Sequence, residues 1–199
     1  MRSQTTQVTA DEARYQQQLL TLVHDCPDLL RALHEVAKLN LDAWCIAAGA
    51  IRNLVWRHIF PDAPGVVASD LDLIYLNQLS LPSQQTIETQ LKQVFPEFNW
   101  EVTNQALVHT WYRDHHGHAI PAITSLTQAL AGWPETATAV GVYLDKQGEL
   151  KLIAPFVLRD LFLGILRHNA LGVDRQVFQA RLETKAFLQH WPELQLISE

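Results

Sequence analysis

Two aspartates, Asp70 and Asp72, stand at the start of an apolar segment, residues 70–76, whose composition predicts a β-strand. Side chains two positions apart on a strand project to the same face, so the two carboxylates would lie close together. Two like charges at that distance are unfavourable unless a positive charge lies between them. Because Mg²⁺ and Mn²⁺ prefer hard oxygen ligands and leave positions open for phosphates, the pair predicts a site for Mg²⁺ (or Mn²⁺).

A second segment upstream carries the residues of a phosphate-binding turn. An apolar run over residues 43–48 predicts a buried strand, and Gly49 and Ala50 follow it where a helix is expected to begin. Small residues at a helix start let an anion approach the backbone N–H groups. Arg52 would add a planar, charged fork for phosphate oxygens, with Asn53 beside it. A competing interpretation is that Arg52 forms a structural salt bridge with one of the two aspartates.

Taken together, these segments resemble the nucleotidyltransferases of the DNA polymerase beta-like superfamily. The turn at 48–53 and the motif at 70–72 look most like the head domain of tRNA nucleotidyltransferases and poly(A) polymerases. Over residues 43–192 the chain is similar to a bacterial family of nucleotidyltransferase-like proteins, with further distinctive stretches at 104–106 and 133–141. The resemblance implies a nucleotidyltransferase fold and transfer of a nucleoside monophosphate from an NTP to an acceptor hydroxyl.

The resemblance also implies a third carboxylate on a later strand. Glu101 lies between two apolar residues and matches that pattern, although the superfamily more often has Asp there. Its implied roles, shared with Asp70 and Asp72, are metal binding and catalysis; the alternative is a solvent-facing strand residue. Ala50 stands where Ser is common, so the phosphate contact there would fall to backbone N–H groups.

Four further side chains are candidates for binding the nucleotide. Asn104 and Gln105 follow the third predicted strand, and their amides would read a base edge or a ribose, or else satisfy buried backbone groups. Thr136 and Thr138 alternate with alanines on a predicted strand and would therefore share a face. The alternative for this pair is an ordinary strand role for β-branched side chains.

Two other groups of residues have side chains that could take part in a site. The cluster His115, His116 and His118 suggests zinc, but the segment is polar and lacks nearby cysteines, so a solvated loop is the favoured interpretation. Trp100 and Trp111 are candidates for stacking on a base.

Composition restricts the class of protein. With 199 residues and 48% hydrophobic content, the chain predicts a flexible N-terminus over 1–10 and a single domain over 11–199. The net charge of −6 gives no overall electrostatic footprint for nucleic acid. Cys26 and Cys45 form no disulfide framework, and no apolar run has the length of a membrane span. We therefore expect a cytoplasmic protein with no membrane or disulfide partner.

The predicted fold class is α+β (α/β mixed). It consists of a mixed β-sheet of the nucleotidyltransferase fold flanked by helices, with an N-terminal helix pair and C-terminal helices. Periodicity and turn signals predict helices over 11–24, 27–40, 51–60, 82–94, 125–131, 157–167 and 174–190. The same signals predict strands over 43–48, 70–76, 100–103, 136–144 and 149–154, the last two joined by a hairpin turn at 145–148.

Two functions from different classes remain open at this stage. The leading hypothesis is a metal-dependent enzyme whose partners are an NTP and an unknown acceptor: a small molecule, an RNA end or a protein. The alternative is a catalytically weak or inactive nucleotide-binding or partner-docking module on the same fold, which the Glu101 and Ala50 departures favour. A metal-dependent hydrolase that uses water in the same site is a distant third.

Overall fold

The computed structural model describes residues 2–66, 70–78, 82–114 and 116–197. His115, one of the three clustered histidines, lies outside these ranges.

A five-stranded mixed sheet forms the centre of the protein. Its strands are β1 (Trp44–Ala47), β2 (Leu71–Tyr75), β3 (Trp100–Asn104), β4 (Gly141–Leu144) and β5 (Leu150–Ile153). Their order across the sheet is β3-β2-β1-β4-β5, with β2 and β3 parallel and the other neighbours antiparallel. The predicted α+β class with a mixed sheet flanked by helices is confirmed, as is the hairpin turn between β4 and β5.

Helices surround the sheet, and a small parallel pair of strands follows it. The helices are α1 (Arg2–His24), α2 (Pro27–Ala37), α3 (Gly49–Ile59), α4 (Gln84–Val94), α5 (Val108–Trp111), α6 (Leu126–Ala131), α7 (Arg159–Phe162), α8 (Arg175–Thr184) and α9 (Phe187–His190). The strand pair is β6 (Ile165–Arg167) and β7 (Gln195–Ile197). Helix α1 begins well before its predicted start at Asp11. Of the helices in the described ranges, none combines the length and apolar character that crossing a bilayer requires.

Local capping explains where several helices begin. Ser83 and Ser125 occupy the N-caps of α4 and α6, and their hydroxyls accept hydrogen bonds from the backbone N–H groups of Thr86 and Gln128. Each cap satisfies a helix-end donor that would otherwise lack a partner. Pro27 opens α2, where its missing N–H costs no intrahelical bond.

The two faces of the sheet are covered differently. The main core joins one face to α1–α4, with Leu19, Leu33 and Val55 fully buried. A smaller cluster on the other face packs α6 against Cys45 and Ala47 of β1. Strand alternation puts the candidate carboxylates on this second face, beyond the smaller cluster.

The predicted strand over 136–144 is wrong in its first half. Only β4 at its end is extended; before it the chain turns, with the N–H of Thr138 donating to the carbonyl of Glu135 and that of Ala139 to Thr136. Thr136 and Thr138 therefore do not share the face of a strand. The physical reason is the fully buried Glu135, whose carboxylate bonds Arg181 far along the chain and holds the turn in place.

The two predicted C-terminal helices are also wrong in part. The apolar stripe over 157–167 continues past α7, but Gly164 has φ +63° and the chain then enters β6. The helix predicted over 174–190 is divided into α8 and α9 by Ala186, which has φ 48°. A periodicity of apolar residues does not reveal such left-handed residues, because they depend on tertiary contacts.

Candidate active site

Two neighbouring strands, β2 and β3, bring two of the predicted carboxylates together. In the sheet, Asp72 of β2 lies opposite Ala47 of β1 on one side and Glu101 of β3 on the other. Directly opposed residues share a face of the sheet, so Asp72 and Glu101 are side-by-side acids. Asp70 lies immediately before β2 and contributes a third negative charge.

The pKa of Asp72 reports this crowding. Burial, together with the negative charges of Glu101 and Asp70, raises this pKa from 3.8 to about 6, and burial is the largest cause. Lys185 and Arg52 oppose the shift through their positive charges. A buried acid beside two other acids is the arrangement that a bound cation relieves.

The donor set fits a hard divalent cation, because all three acids offer oxygen ligands. Within the described ranges, however, no group of three or more His, Cys, Asp or Glu side chains lies close enough to hold a metal ion as it stands. One reason is that Asp70 is engaged elsewhere: the Asn99 Nδ2 donates to its Oδ1 over 2.7 Å. Glu101 is exposed, so its carboxylate has room to turn.

The turn after β1 places a helix start beside Asp72. Ala48 adopts φ 57° and ψ −125°, a conformation that residues other than glycine rarely adopt, and its N–H donates to the carbonyl of Val140 over 3.2 Å. This reversal begins α3 at Gly49, directly after the residue paired with Asp72. The first-turn amides of a helix, here those of Gly49 and Ala50, have no intrahelical partner and suit an anion.

Arg52 is buried and bonded within the protein. Its Nε and Nη2 donate to Oδ1 of Asn53 over 3.1 and 3.0 Å, and its Nη1 donates to Oγ1 of Thr138 over 3.3 Å. The guanidinium also lies over the rings of Trp56 and Phe187. Burial lowers its pKa to about 10. In the described part of the chain it forms no salt bridge with either aspartate, and its contacts join α3 to the 136–138 turn and α9.

The other candidates for nucleotide binding divide into two groups. Asn104 is bonded to backbone: its side chain accepts from the N–H groups of Asn77 and Ala106 and donates to the carbonyl of Asn77. Thr136 donates to Asp160 over 2.8 Å. Gln105, in contrast, lines a cavity beside β3.

This cavity has a volume of about 840 Å³. Thr103, on the same strand and face as Glu101, forms part of its wall, and Trp111 contributes an exposed ring. Trp100, the other candidate for base stacking, is almost fully buried and lies on the opposite face.

Sequence reasoning missed two cations from α8 and its end. Arg181 and Lys185 both line the cavity, and the charge of Lys185 acts on Asp72. Arg181 donates to Glu135, whereas in the part of the chain that the structure describes the Lys185 ammonium donates no hydrogen bond. Their i,i+4 spacing, which puts both on one side of a helix, was the available signal.

His116 and His118, the two described members of the histidine cluster, lie in an exposed turn. Asp114 accepts hydrogen bonds from the backbone N–H groups of His116 and His118, and these bonds lower the pKa of its carboxyl. Both histidine side chains are exposed. These contacts agree with the solvated-loop interpretation of this segment.

Comparisons with known proteins agree with one another. A family model described as Nucleotidyltransferase matches residues 34–196. One similar solved structure is an NMR structure described as revealing a CCA-adding enzyme head domain; its sequence is 26% identical to this chain. The match covers 92% of this chain and 96% of the other chain, with a TM-score of 0.77. The apo form II structure of a CCA-adding enzyme is 14% identical with a TM-score of 0.53; it covers 89% of this chain but 44% of its own, and shows a shared fold. No curated protein matches the chain.

Proposed function

The chain belongs to a nucleotidyltransferase family, and from that membership we propose that it transfers a nucleoside monophosphate from an NTP to an acceptor hydroxyl. One observation carries the proposal: Asp72 and Glu101 lie side by side on parallel strands, next to the helix start at Gly49. Nucleotidyl transfer needs this combination, because its catalysis consists largely of positioning and charge neutralisation.

Each part of the arrangement has a role in the proposal. The backbone N–H groups of Gly49 and Ala50 bind the triphosphate at the α3 N-terminus. Lys185, whose charge acts on Asp72, contributes positive charge at the carboxylates. Asp70, Asp72 and Glu101 would hold Mg²⁺ or Mn²⁺, which when bound neutralises phosphate charge during transfer. Asp70 would first exchange its bond with Asn99 for the metal.

The position of Glu101 beside Asp72 supports the following transfer step. Glu101 accepts the proton of the acceptor hydroxyl as the oxygen attacks the α-phosphorus. A new oxygen–phosphorus bond forms while the bond from the α-phosphorus to the bridging oxygen breaks. Pyrophosphate leaves with that electron pair, and the products are the nucleotidylated acceptor and pyrophosphate.

Titration calorimetry of the four NTPs, with Mg²⁺ and with EDTA, tests the proposal on the wild type and on Asp70→Asn/Asp72→Asn. We expect Mg²⁺-dependent binding that the double variant weakens at least tenfold. Asp62→Asn, which changes an exposed acid in the loop after α3, is the matched control and should bind as the wild type does. Failure of every NTP to bind the wild type would overturn the proposal.

A second candidate function is a nucleotide-binding module without transfer. The Asp70–Asn99 bond favours it, because that bond occupies a carboxylate the metal would need. Mg²⁺-independent NTP binding that survives in Asp70→Asn/Asp72→Asn would support this alternative over the enzyme.

A further inference from the structure

We infer that the cavity beside β3 is the acceptor site and takes a small molecule with a planar apolar ring and a hydroxyl group. The inference rests on the proposed function, and it names the acceptor class for that same site.

The position of the cavity sets it on the attacking side. Across the sheet the order is Ala47, then Asp72, then Glu101, and the proposed triphosphate site follows Ala47 directly. In phosphoryl-type transfer the attacking and leaving oxygens lie roughly in line, on opposite sides of the phosphorus. Thr103, which lines the cavity, lies on the same face as Glu101 and two residues further along β3. It is level with Ile74 and Cys45, and so is displaced along the strands from the end of β1 where the triphosphate site begins.

The lining of the cavity suits an apolar ring. Its volume of about 840 Å³ lies within the range of small-molecule sites, about 300–1,000 Å³. Four aromatic side chains contribute to its wall: Trp111, Tyr112, Trp133 and Phe156. Trp111 is 61% exposed and Tyr112 38%, so two rings at this cavity lack full cover from the protein. Exposed aromatic faces beside a concave apolar surface are typical of a ligand site.

Gln105 supplies an independent sign of a polar ligand group. The residue is only 7% exposed and lines the cavity. In the described part of the chain its side-chain amide has no hydrogen-bond partner, and the amide atoms are not fully enclosed by protein. An amide that lines a cavity without a protein partner can bond a ligand hydroxyl or carbonyl there. This places the polar group of the acceptor near the strand that carries Glu101.

The charges of the cavity argue against an RNA end. Of the described residues that line it, Arg181 and Lys185 carry positive charge, and Arg181 is already bonded to the buried Glu135. Binding an RNA backbone needs several cations along a groove. Two cations, of which one is bonded to Glu135 and the other is assigned to the triphosphate, form no such row, and with a net charge of −6 the protein fits a neutral acceptor better.

The experiment uses 2-naphthylmethanol, a planar apolar ring with one hydroxyl, titrated by ligand-observed NMR. We expect a Kd on the order of 0.1–1 mM for the wild type, as suits a ligand of this size. Ala180→Trp, an exposed change on α8 that fills the cavity mouth, should weaken binding at least tenfold. Gln179→Trp, one position away and outside the lining, is the matched control and should change the Kd less than twofold. Gln105→Leu should weaken binding about threefold to tenfold.

A second titration with saturating Mg·ATP separates the inference from the proposed function. We expect the Kd of the probe to stay within threefold or to fall, because acceptor and nucleotide occupy different places. Displacement of the probe by ATP would assign the cavity to the nucleobase and overturn the inference, while leaving the proposed function intact. Equal probe binding by the wild type and Ala180→Trp, or no binding by the wild type, would also overturn it. If no NTP binds at all, the proposed function fails and the acceptor assignment fails with it, whatever the probe does.

Discussion

Burial and four neighbouring charges all act on the pKa of Asp72. It is held between a second acid on the neighbouring strand and a third before its own strand, and burial adds to their effect. A folded protein accepts such an arrangement only if other contacts supply the stability it loses. The destabilisation caused by burying the Asp72 carboxylate beside two other acids should therefore be measurable as a lower free energy of unfolding.

The first prediction concerns Asp72→Asn in metal-free protein. The pKa of this acid is about 6 in the folded state against 3.8 ordinarily, so between about pH 4 and 6 the folded state binds more protons than the unfolded state. The contribution of Asp72 to stability therefore falls as the pH rises through this window. At pH 7.5 in EDTA, Asp72→Asn should raise the free energy of unfolding by about 1–2 kcal/mol.

Urea denaturation at pH 4.5 and pH 7.5 measures this difference, with Asp62→Asn as the exposed control. We expect the gain of Asp72→Asn over the wild type to be small at the lower pH and larger at the higher one. A variant that is less stable than the wild type at pH 7.5 would show that the carboxylate has a stabilising partner instead.

At the scale of elements, the site depends on how closely β1 and β4 approach. Gly141 lies opposite Ala47, and a Cβ built on it would lie 2.6 Å from Sγ of Cys45. Neighbouring strands here permit no side chain at this position. A methyl group at position 141 would require Cys45 to move, so the close approach of β1 and β4 depends on the glycine.

A second prediction follows for Gly141→Ala. Overpacking against Cys45 should lower the free energy of unfolding by about 1–3 kcal/mol. Cys45→Ala in the same chain removes the clashing sulfur, so the double variant should lose less than the sum of the two single variants. Thermal and urea denaturation of all four proteins measure the coupling. Strict additivity would contradict the contact.

The C-terminal end of α8 carries the third prediction. Lys185 acts on Asp72 through its charge, and the ammonium would share a bound triphosphate with the first turn of α3. We expect Lys185→Met to weaken Mg·ATP binding about threefold to tenfold. Lys146→Met, in the β4–β5 turn, removes the same charge far from the carboxylates and should leave the affinity unchanged. Calorimetry at two salt concentrations measures both.

The whole molecule extends beyond the segment that the family model matches. That match begins at residue 34, yet α1 lies in the same core: Leu19 is fully buried, and Tyr15 stacks on Phe162 with ring centroids 4.9 Å apart. The carboxylate of Glu12 accepts hydrogen bonds from the N–H of Leu158 over 2.9 and 3.1 Å. Helix α1 is therefore fastened to the start of α7 across most of the chain length.

The fourth prediction tests whether α1 unfolds together with the rest of the core. Leu19→Ala should lower the free energy of unfolding by about 2–5 kcal/mol, because a fully buried leucine leaves a cavity. Far-UV circular dichroism and tryptophan fluorescence should still give coincident transitions, since Trp44, Trp56, Trp100 and Trp191 belong to the same core cluster as α1. A helix signal that is lost before the fluorescence changes would mean that α1 unfolds as a separate unit.

The sequence indicated those parts of the site that depend on short-range periodicity. The alternation of strand side chains is enough to place Asp72 and Glu101 on one face, and the Gly49 turn has a local signal of its own. It does not reveal that Asp70 lies before β2 and bonds Asn99. The sequence did not indicate the turn at 136–138, which depends on a buried ion pair between Glu135 and a residue 46 positions later. Contacts over such separations leave no periodic trace in a single chain.

Cys45 has a consequence for how the protein can be observed. Its thiol is fully buried against Gly141, and burial raises its pKa, so a thiol-specific reagent reaches it only when the sheet separates. Cys26, half-buried at the start of α2, should react far sooner and serve as an internal reference. The slow phase of labelling in the native protein then gives the rate at which the strands beneath the carboxylates open. If ligands that bind the site slow this phase, the rate of Cys45 labelling relative to Cys26 measures how much of the protein has ligand bound, and no engineered label is needed.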